Sequence, residues 1–303
     1  MVIVRINRIA FIGFGEAATA FISSWHNKSP EIINAFDLKT NSRKTREQKL
    51  LEYIEHGVQG TFHPQDAIDG TQIIFSLVTA DQAEAALKDL LSKLDSKQVI
   101  IDGNSCSPQT KKSIAEQVEQ RGASYVDMAI MAPVLSSAPA IPVYLSGEKA
   151  AEVAEYLNSL GFVAEVISKR AGDASSIKML RSVMVKGLEA LTTECVLAAR
   201  KSGVEKYVLN SLSKTYPGLQ IDELSRYHME RMLCHGERRH AELQEVAATL
   251  DDLNIGHPMV KGAMSWHQSL GSMPIEDKQQ PLEPLSDEII KHLQSSPRLV
   301  AAS

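Results

Sequence analysis

The sequence predicts an α/β protein in two parts: an amino-terminal half built on a largely parallel, doubly wound sheet, and an all-helical carboxyl-terminal half, joined by one long helix. Three observations predict it. Short apolar runs alternate with helical patterns from residue 9 to about 168; strand signals stop after Gly172; and a nearly unbroken helical pattern then runs from Asp173 to Ser202, closed by Gly203. The expected parts are therefore residues 1–168 and 169–303.

The first apolar run, Ile9 to Ile12, leads directly into Gly13-Phe14-Gly15-Glu16-Ala17-Ala18. Gly13 allows a tight turn, Gly15 lets a backbone approach a pyrophosphate, and Ala18 stands where a third glycine is usual, at close packing of helix on strand. The N–H groups that open the following helix face such phosphates. This is the dinucleotide-binding (Rossmann) pattern, and Gly13, Phe14, Gly15, Glu16 and Ala17 are its candidate cofactor contacts. A second apolar run, Glu31 to Phe36, ends at Asp37, 24 residues after Gly13, where such folds place an acid on the adenosine ribose. Asp37 tilts the cofactor toward NAD; Lys39, Arg43 and Lys44 lie close enough in sequence to receive the extra phosphate of NADP.

Ile73–Val78, Val99–Asp102, Tyr125–Ile130, Ile141–Leu145 and Phe162–Ile167 read as further strands. Between them Gln82–Leu94, Pro108–Arg121 and Lys149–Leu160 carry apolar residues at helical spacing, as crossover helices do. Pro108 suits a first helical turn. Beyond the long helix, Tyr207–Tyr216 and Asp222–Leu253 continue as helices, with breaks at Pro217-Gly218 and Gly256-His257-Pro258. Residues 274–284 read as a connector before a last short helix, and the tail from Ser295 as frayed.

Composition narrows the function. The 303 residues are 44% hydrophobic and 23% charged, with a net charge of -5, which suits a two-domain soluble protein and gives no electrostatic footprint for nucleic acid. No apolar stretch approaches a membrane span. Met1 to Asn7 leads straight into the first strand without a signal-peptide pattern. Cys106, Cys195 and Cys234 are few, odd in number and far apart, which fits a reducing cytoplasm, and no metal-ligand spacing stands out.

Three stretches hold candidate chemistry. Lys178 shares a face of the long helix with Arg181, Ser182 and Val185, so two cations project together beside Ile177, Met179, Leu180 and Val183. Such surroundings favour proton release from a lysine, which then exchanges a proton with a hydroxyl or carbonyl oxygen. An arbitrary lysine on an amphipathic helix is more often solvated or snorkelling. In the second stretch, His228, Arg231, His235, Arg238, Arg239 and Glu242 fall on one helical face that suits an anionic substrate, with a solvated face or a dimer rim as the alternative. Gly236 interrupts that helix, which points to close packing. The third, Asp102 to Pro108, follows a strand and precedes a helix, and Asn104 and Ser105 there can hydrogen-bond a substrate or serve as ordinary turn residues. Cys106 has no adjacent base and reads as a bystander thiol.

In order along the chain, these motifs resemble those of the β-hydroxyacid dehydrogenase family, relatives of 3-hydroxyisobutyrate and 6-phosphogluconate dehydrogenases. Gly13 to Ala18 looks like the family's glycine turn, and Ser76-Leu77-Val78-Thr79 like its nicotinamide-side loop. Asp102 to Pro108 is similar to its Asp-x-Ser-Thr-x-x-Pro segment, and Gly172 to Lys178 to its catalytic lysine segment. The resemblance implies a Rossmann domain, a long interdomain helix, a helical dimerising domain, cofactor contacts at Leu77, Val78, Thr79 and Asn104, and Lys178 as general acid or base. Two departures bear on substrate. Asp127-Met128-Ala129-Ile130-Met131-Ala132-Pro133 lacks the serine and glycines of the family's Asp-Ala-Pro-Val-Ser-Gly-Gly loop, and Arg181 and Ser182 replace the asparagine that follows the catalytic lysine.

The sequence thus reads as a cytoplasmic NAD(P)-dependent oxidoreductase acting on a small anionic hydroxy acid or its carbonyl partner, with Asn104, Ser105, Arg181, Ser182, His235, Arg238 and Arg239 toward substrate. Imine reduction on the same scaffold and NAD(P) sensing without turnover are the alternatives. The apolar content of Val183–Ala199 and Leu243–Leu253 exceeds what a small helical domain hides alone, so a homodimer is expected, with no nucleic-acid or membrane partner.

Overall fold

The computed structural model describes residues 6–25, 28–134 and 140–295, and every structural statement here concerns those residues. The expected tail lies almost wholly outside them. Two compact units divide at Lys178/Met179.

The first unit is an eight-stranded sheet in the order β3-β2-β1-β4-β5-β6-β7-β8. Its strands are β1 (Arg8–Ile12), β2 (Ile32–Phe36), β3 (Gln59–Gly60), β4 (Ile73–Ser76), β5 (Val99–Asp102), β6 (Ser124–Ile130), β7 (Pro142–Ser146) and β8 (Val163–Ser168). Helices α1 (Glu16–Trp25), α2 (Arg46–Glu55), α3 (Pro64–Ile68), α4 (Ala83–Lys88), α5 (Pro108–Glu119) and α6 (Ala150–Ser159) connect them. The central strands are apolar on both faces, with Ile9, Phe11, Ile74 and Phe75 fully buried, as a sheet covered by helices on both sides requires. Every neighbouring pair is parallel except β6 and β7, which run antiparallel with Met128 opposite Leu145. An antiparallel pair can be joined without a crossover helix, unlike the parallel pairs. The strand order reverses between β1 and β4, and ligands bind at the carboxyl ends of such a switch point.

Two elements differ from the sequence expectation. Regular helix covers only Ala83–Lys88 of the span 82–94, because Leu90 N bonds Leu87 O at 2.8 Å, and this tightened turn buries Leu90. Between β2 and β4 the chain adds a 3-10 turn (Leu38–Asn41), α2, β3 and α3, where the sequence analysis placed no element.

Helix α7 (Asp173–Lys201) begins in the first unit and ends in the second. The second unit continues with α8 (Glu205–Thr215), α9 (Ile221–Asp252), α10 (Pro258–Gly271) and α11 (Leu282–Ser295) around a core that includes Met229, Met232, Leu243, Val246, Leu270 and Ile289. Gly236 on α9 meets Gly271 on α10 backbone to backbone: a Cβ on Gly236 would stand 2.1 Å from His267 O and 2.7 Å from Gly271 N. The polar face expected on α9 is not uniformly solvated. His228 and Arg239 are buried, because α7 packs over them and supplies Thr192, 2.7 Å from His228 Nδ1, and Glu189, paired with Arg239.

Two predictions follow from this packing. Gly236→Ala adds a residue with better helix propensity, worth about 1 kcal/mol, yet the clash with α10 backbone decides the sign. We expect a loss of at least ~3 kcal/mol, measured by urea denaturation, and an unchanged or raised midpoint would refute the crossing. The second concerns acid. Burial pulls both His228 and His267 down to about 4 from an ordinary 6.5, and at His267 the Arg239 cation adds to it. The unfolded chain therefore binds protons between these values that the folded chain refuses. Stability falls as pH drops from about 6.5 and the loss is complete below about 4, at most roughly 3 kcal/mol for each histidine. Denaturation midpoints at pH 7 and 4.5 should show this drop, and His267→Gln should reduce it.

Candidate functional site

The carboxyl ends of β1, β4 and β5 lie side by side and carry the three loops singled out in the sequence. At the end of β1 the chain turns at Gly13, whose φ of 87° is a left-handed conformation and whose added Cβ would stand 2.4 Å from Leu77 O. Gly13 N donates to Phe36 O of β2 at 2.8 Å, and Leu77 N to Ile12 O at 2.8 Å, so the turn is tied to both neighbours. Phe14 points inward and is fully buried, its ring 5.1 Å from that of Tyr53 and 6.2 Å from that of Phe11. Gly15, Glu16 and Ala17 then open α1 at the surface.

This turn fits a dinucleotide. Nothing lies within 4 Å of where a Gly15 Cβ would be, so backbone there is open to approach. The first N–H groups of α1 have no acceptor inside their helix, the usual setting for phosphate oxygens. Asp37 stands at the end of β2 as expected. Its Oδ2 accepts from Phe14 N at 2.9 Å and its Oδ1 from Lys39 N at 2.9 Å, so the acid braces the glycine turn and caps the 3-10 turn. A carboxylate holds further lone pairs, which leaves capacity for a ribose hydroxyl. Lys39, Arg43 and Lys44 are all exposed.

The loop after β4 is fastened by Asn104. Its Oδ1 accepts from Val78 N at 2.7 Å, and its Nδ2 donates to Ser76 Oγ at 2.9 Å. The side chain is buried, so the residue read from sequence as a cofactor or substrate contact here holds Leu77, Val78 and Thr79 in place. The neighbouring Ser105 is half-buried and accepts a 2.9 Å hydrogen bond from Lys178 Nζ on α7. Lysine and serine come together although 73 residues separate them.

What brings them together is a buried network that the sequence analysis missed. Lys111, on α5, is fully buried. Its Nζ donates to Asp102 O and pairs with Asp102 Oδ1, both at 2.8 Å, and lies 3.4 Å from Asp127 Oδ1. Burial alone would lower this ammonium's pKa, but Asp102 and Asp127 outweigh it and raise it. Tyr125 OH donates to Asp102 Oδ2 at 2.6 Å, and Asn104 N to Asp102 Oδ1 at 2.9 Å. Asp127 reaches the start of α7: Oδ1 accepts from Ser175 Oγ at 2.6 Å and Oδ2 from Ser175 N at 2.9 Å. A signal existed, since Lys111 shares the apolar register of Ile114, Ala115 and Val118 at offsets of 3, 4 and 7, where a solvated lysine has no place.

The remaining candidates belong to the helical unit. Arg181 is exposed, and Ser182 is buried, 3.3 Å from Lys186 Nζ. Lys186 pairs with Glu242 at 3.0 Å; burial, reinforced by nearby Arg239 and Arg238, lowers its pKa despite Glu242. Arg239 is held by Glu189, Arg238 is exposed with Glu242 at 3.5 Å, and His235 is half-buried. The bystander Cys106 is buried, its thiol 3.6 Å from Ala80 O.

Comparison with known proteins bears on the fold and the family. Residues 8–161 match the NAD binding domain of 6-phosphogluconate dehydrogenase, and residues 199–270 match a domain family of unknown function. A solved conserved hypothetical protein from Sinorhizobium meliloti 1021 is 31% identical and superposes with a TM-score of 0.77 over 96% of this chain and 98% of that one. The 3-hydroxyisobutyrate dehydrogenase of Pseudomonas aeruginosa is 24% identical over 69% of this chain and 70% of its own length. The Mycobacterium tuberculosis 3-hydroxyisobutyrate dehydrogenase shares the fold, with a TM-score of 0.71 at 12% identity over 94% of this chain and 99% of that one. The NAD-binding match spans just over half of the sequence and contains the glycine turn, the Asn104 loop and the residues Asp102, Lys111 and Asp127; the chain belongs to the β-hydroxyacid dehydrogenase family.

Proposed function

We propose that this protein is an NAD(P)-dependent oxidoreductase that moves a hydride between the nicotinamide and a small anionic hydroxy acid or its carbonyl partner, with Lys178 as the general acid and base. The observation that carries this reading is the Lys178–Ser105 hydrogen bond, made on a dinucleotide-binding sheet at the end of the strand next to β4.

The bound cofactor supplies or accepts the hydride; the chain supplies the proton. As an ammonium, Lys178 donates a proton to a carbonyl oxygen as that oxygen gains charge, and as an amine it accepts the proton of a hydroxyl in the reverse direction. Ser105 accepts from Lys178 and keeps its own hydroxyl hydrogen for a substrate oxygen, which fixes the lysine's aim. Asn104 keeps the 77–79 loop against the nicotinamide side. Exposed guanidinium groups at Arg181 and Arg238 support an anionic substrate. Asp37 supports NAD over NADP, because a carboxylate pairs with ribose hydroxyls and repels a phosphate. Three free cysteines accord with a reducing cytoplasm.

The test is a panel of hydroxy acids, aldehydes and amine-plus-ketone pairs followed at the nicotinamide absorbance band. With the substrate so found, Lys178→Ala should lower kcat by about 10²–10⁴-fold, the usual weight of general acid–base catalysis, and leave cofactor affinity within twofold. Undiminished turnover removes Lys178 from the chemistry. Reduction of amine-plus-ketone pairs alone would place the reaction among imine reductions, and cofactor binding without any turnover would make the protein a sensor.

Homodimerisation is the second part of the proposal. Leu180, Met184, Leu188 and Leu191 recur along α7 at offsets of 4, 8 and 11 and are 41–62% exposed, a continuous apolar stripe on the helical unit. A second copy is the partner that the stripe fits, by the self-complementarity of twofold contacts. Sedimentation should give twice the chain mass, and Met184→Glu with Leu188→Glu should give the monomer. A wild-type monomer at tens of micromolar would exclude the dimer.

A further inference from the structure

Lys49 on α2 is 3% exposed, and the chemistry proposed above does not use it. Its ammonium donates to Phe14 O at 2.6 Å, pairs with Glu52 on its own helix, and stands 5.7 Å from the centre of the Phe14 ring. Burying an ammonium costs several kcal/mol even when it is paired, and apolar replacements of similar volume are often neutral or stabilising. A methionine would fill this space between α2 and the glycine turn. Stability alone is therefore a poor account of a lysine here.

What the lysine controls is the direction of one peptide. In a planar trans peptide the C=O and the following N–H point opposite ways. Holding Phe14 O toward α2 turns Gly15 N–H away from α2, and Gly15 itself is exposed, with nothing within 4 Å of an added Cβ. Asp37 Oδ2 holds the other side of the same residue through Phe14 N. Without a clamp this is an easy peptide to flip, because glycine at its far end tolerates positive φ at no steric cost. We infer that Lys49 is a positioning residue for the dinucleotide: by fixing the Phe14–Gly15 peptide, it aims Gly15 N–H at the pyrophosphate. The inference rests on the dinucleotide reading of the glycine turn and is independent of the reaction and of Lys178.

Affinity for NADH, read by its fluorescence on the full chain, needs no substrate. Lys49→Met should bind NADH at least tenfold more weakly while the melting temperature without ligand stays within a few degrees. Lys49→Arg, which keeps a cationic donor, should recover affinity to within about threefold of wild type; a merely structural role would lower melting temperature and leave the affinity of the folded fraction alone. Lys49→Met binding within twofold of wild type overturns the inference. If that variant does not fold, the wild type decides: the Gly15 amide should shift and exchange more slowly on NADH saturation, and an unmoved Gly15 overturns it. Wild-type protein that binds neither NADH nor NADPH would instead overturn the dinucleotide reading itself, and this inference with it.

Discussion

The buried Asp102–Lys111–Asp127 group is the constraint on which the first unit's geometry depends. Two acidic side chains and one ammonium meet in the sheet's helix-covered interior, an arrangement tolerated only if the remaining lone pairs find donors. They find them in Tyr125 OH, Asn104 N, Ser146 Oγ and both donors of Ser175. Those donors come from β6, the loop after β5, β7 and the first turn of α7. Satisfying one buried charge group therefore fixes four chain segments at once, and breaking such a group by deleting one partner typically costs 3–5 kcal/mol.

The functional geometry follows from that fixation. Ser175 precedes Lys178 by three residues, just under one helical turn, so anchoring Ser175 to Asp127 sets both the rotation and the height at which Lys178 leaves the helix. Asn104, held by Asp102 through its backbone, passes the same constraint to the loop after β4 through Val78 N. Lys178, Ser105 and the 77–79 loop are thus all registered to one pair of adjacent strands. The glycine turn is braced separately, by Asp37 and Lys49, from the other side of the switch point. In the proposed reading, cofactor placement and proton placement therefore have different anchors, which lets one be altered without the other.

The parts legible in the sequence are those set by short-range rules. Alternating apolar runs marked seven of the eight strands, the two-residue β3 excepted, and Gly13, Asp37 and the order of motifs marked the sheet's ligand end, because tight turns and strand ends impose residue types locally. The antiparallel β6–β7 pair was not legible: an apolar run of five or so residues reads the same in either direction. Lys111 and Lys49 were missed for a related reason. Each is a charged residue in an apolar register, and its partners, Asp127 and Phe14 O, lie 16 and 35 residues away, beyond any local pattern. Arg239 is ambiguous in the opposite sense, since a helical face of cations and histidines has the same spacing whether it meets a substrate or, as Arg239 does, Glu189 of a packed helix.

The departures from the family's substrate loop acquire a physical meaning from these anchors. Asp127, the one residue of that loop retained in identity, serves the structure by capping α7 from inside, while Met131 to Pro133, which differ, follow the strand. Asp127 and its network set Lys178 and Ser105 from one end of this segment. At its other end Met131, Ala132 and Pro133 stand where the resembling loop has a serine and two glycines, so a side-chain hydroxyl is missing there and apolar atoms take its place. The proposed proton chemistry is therefore compatible with a substrate unlike 3-hydroxyisobutyrate.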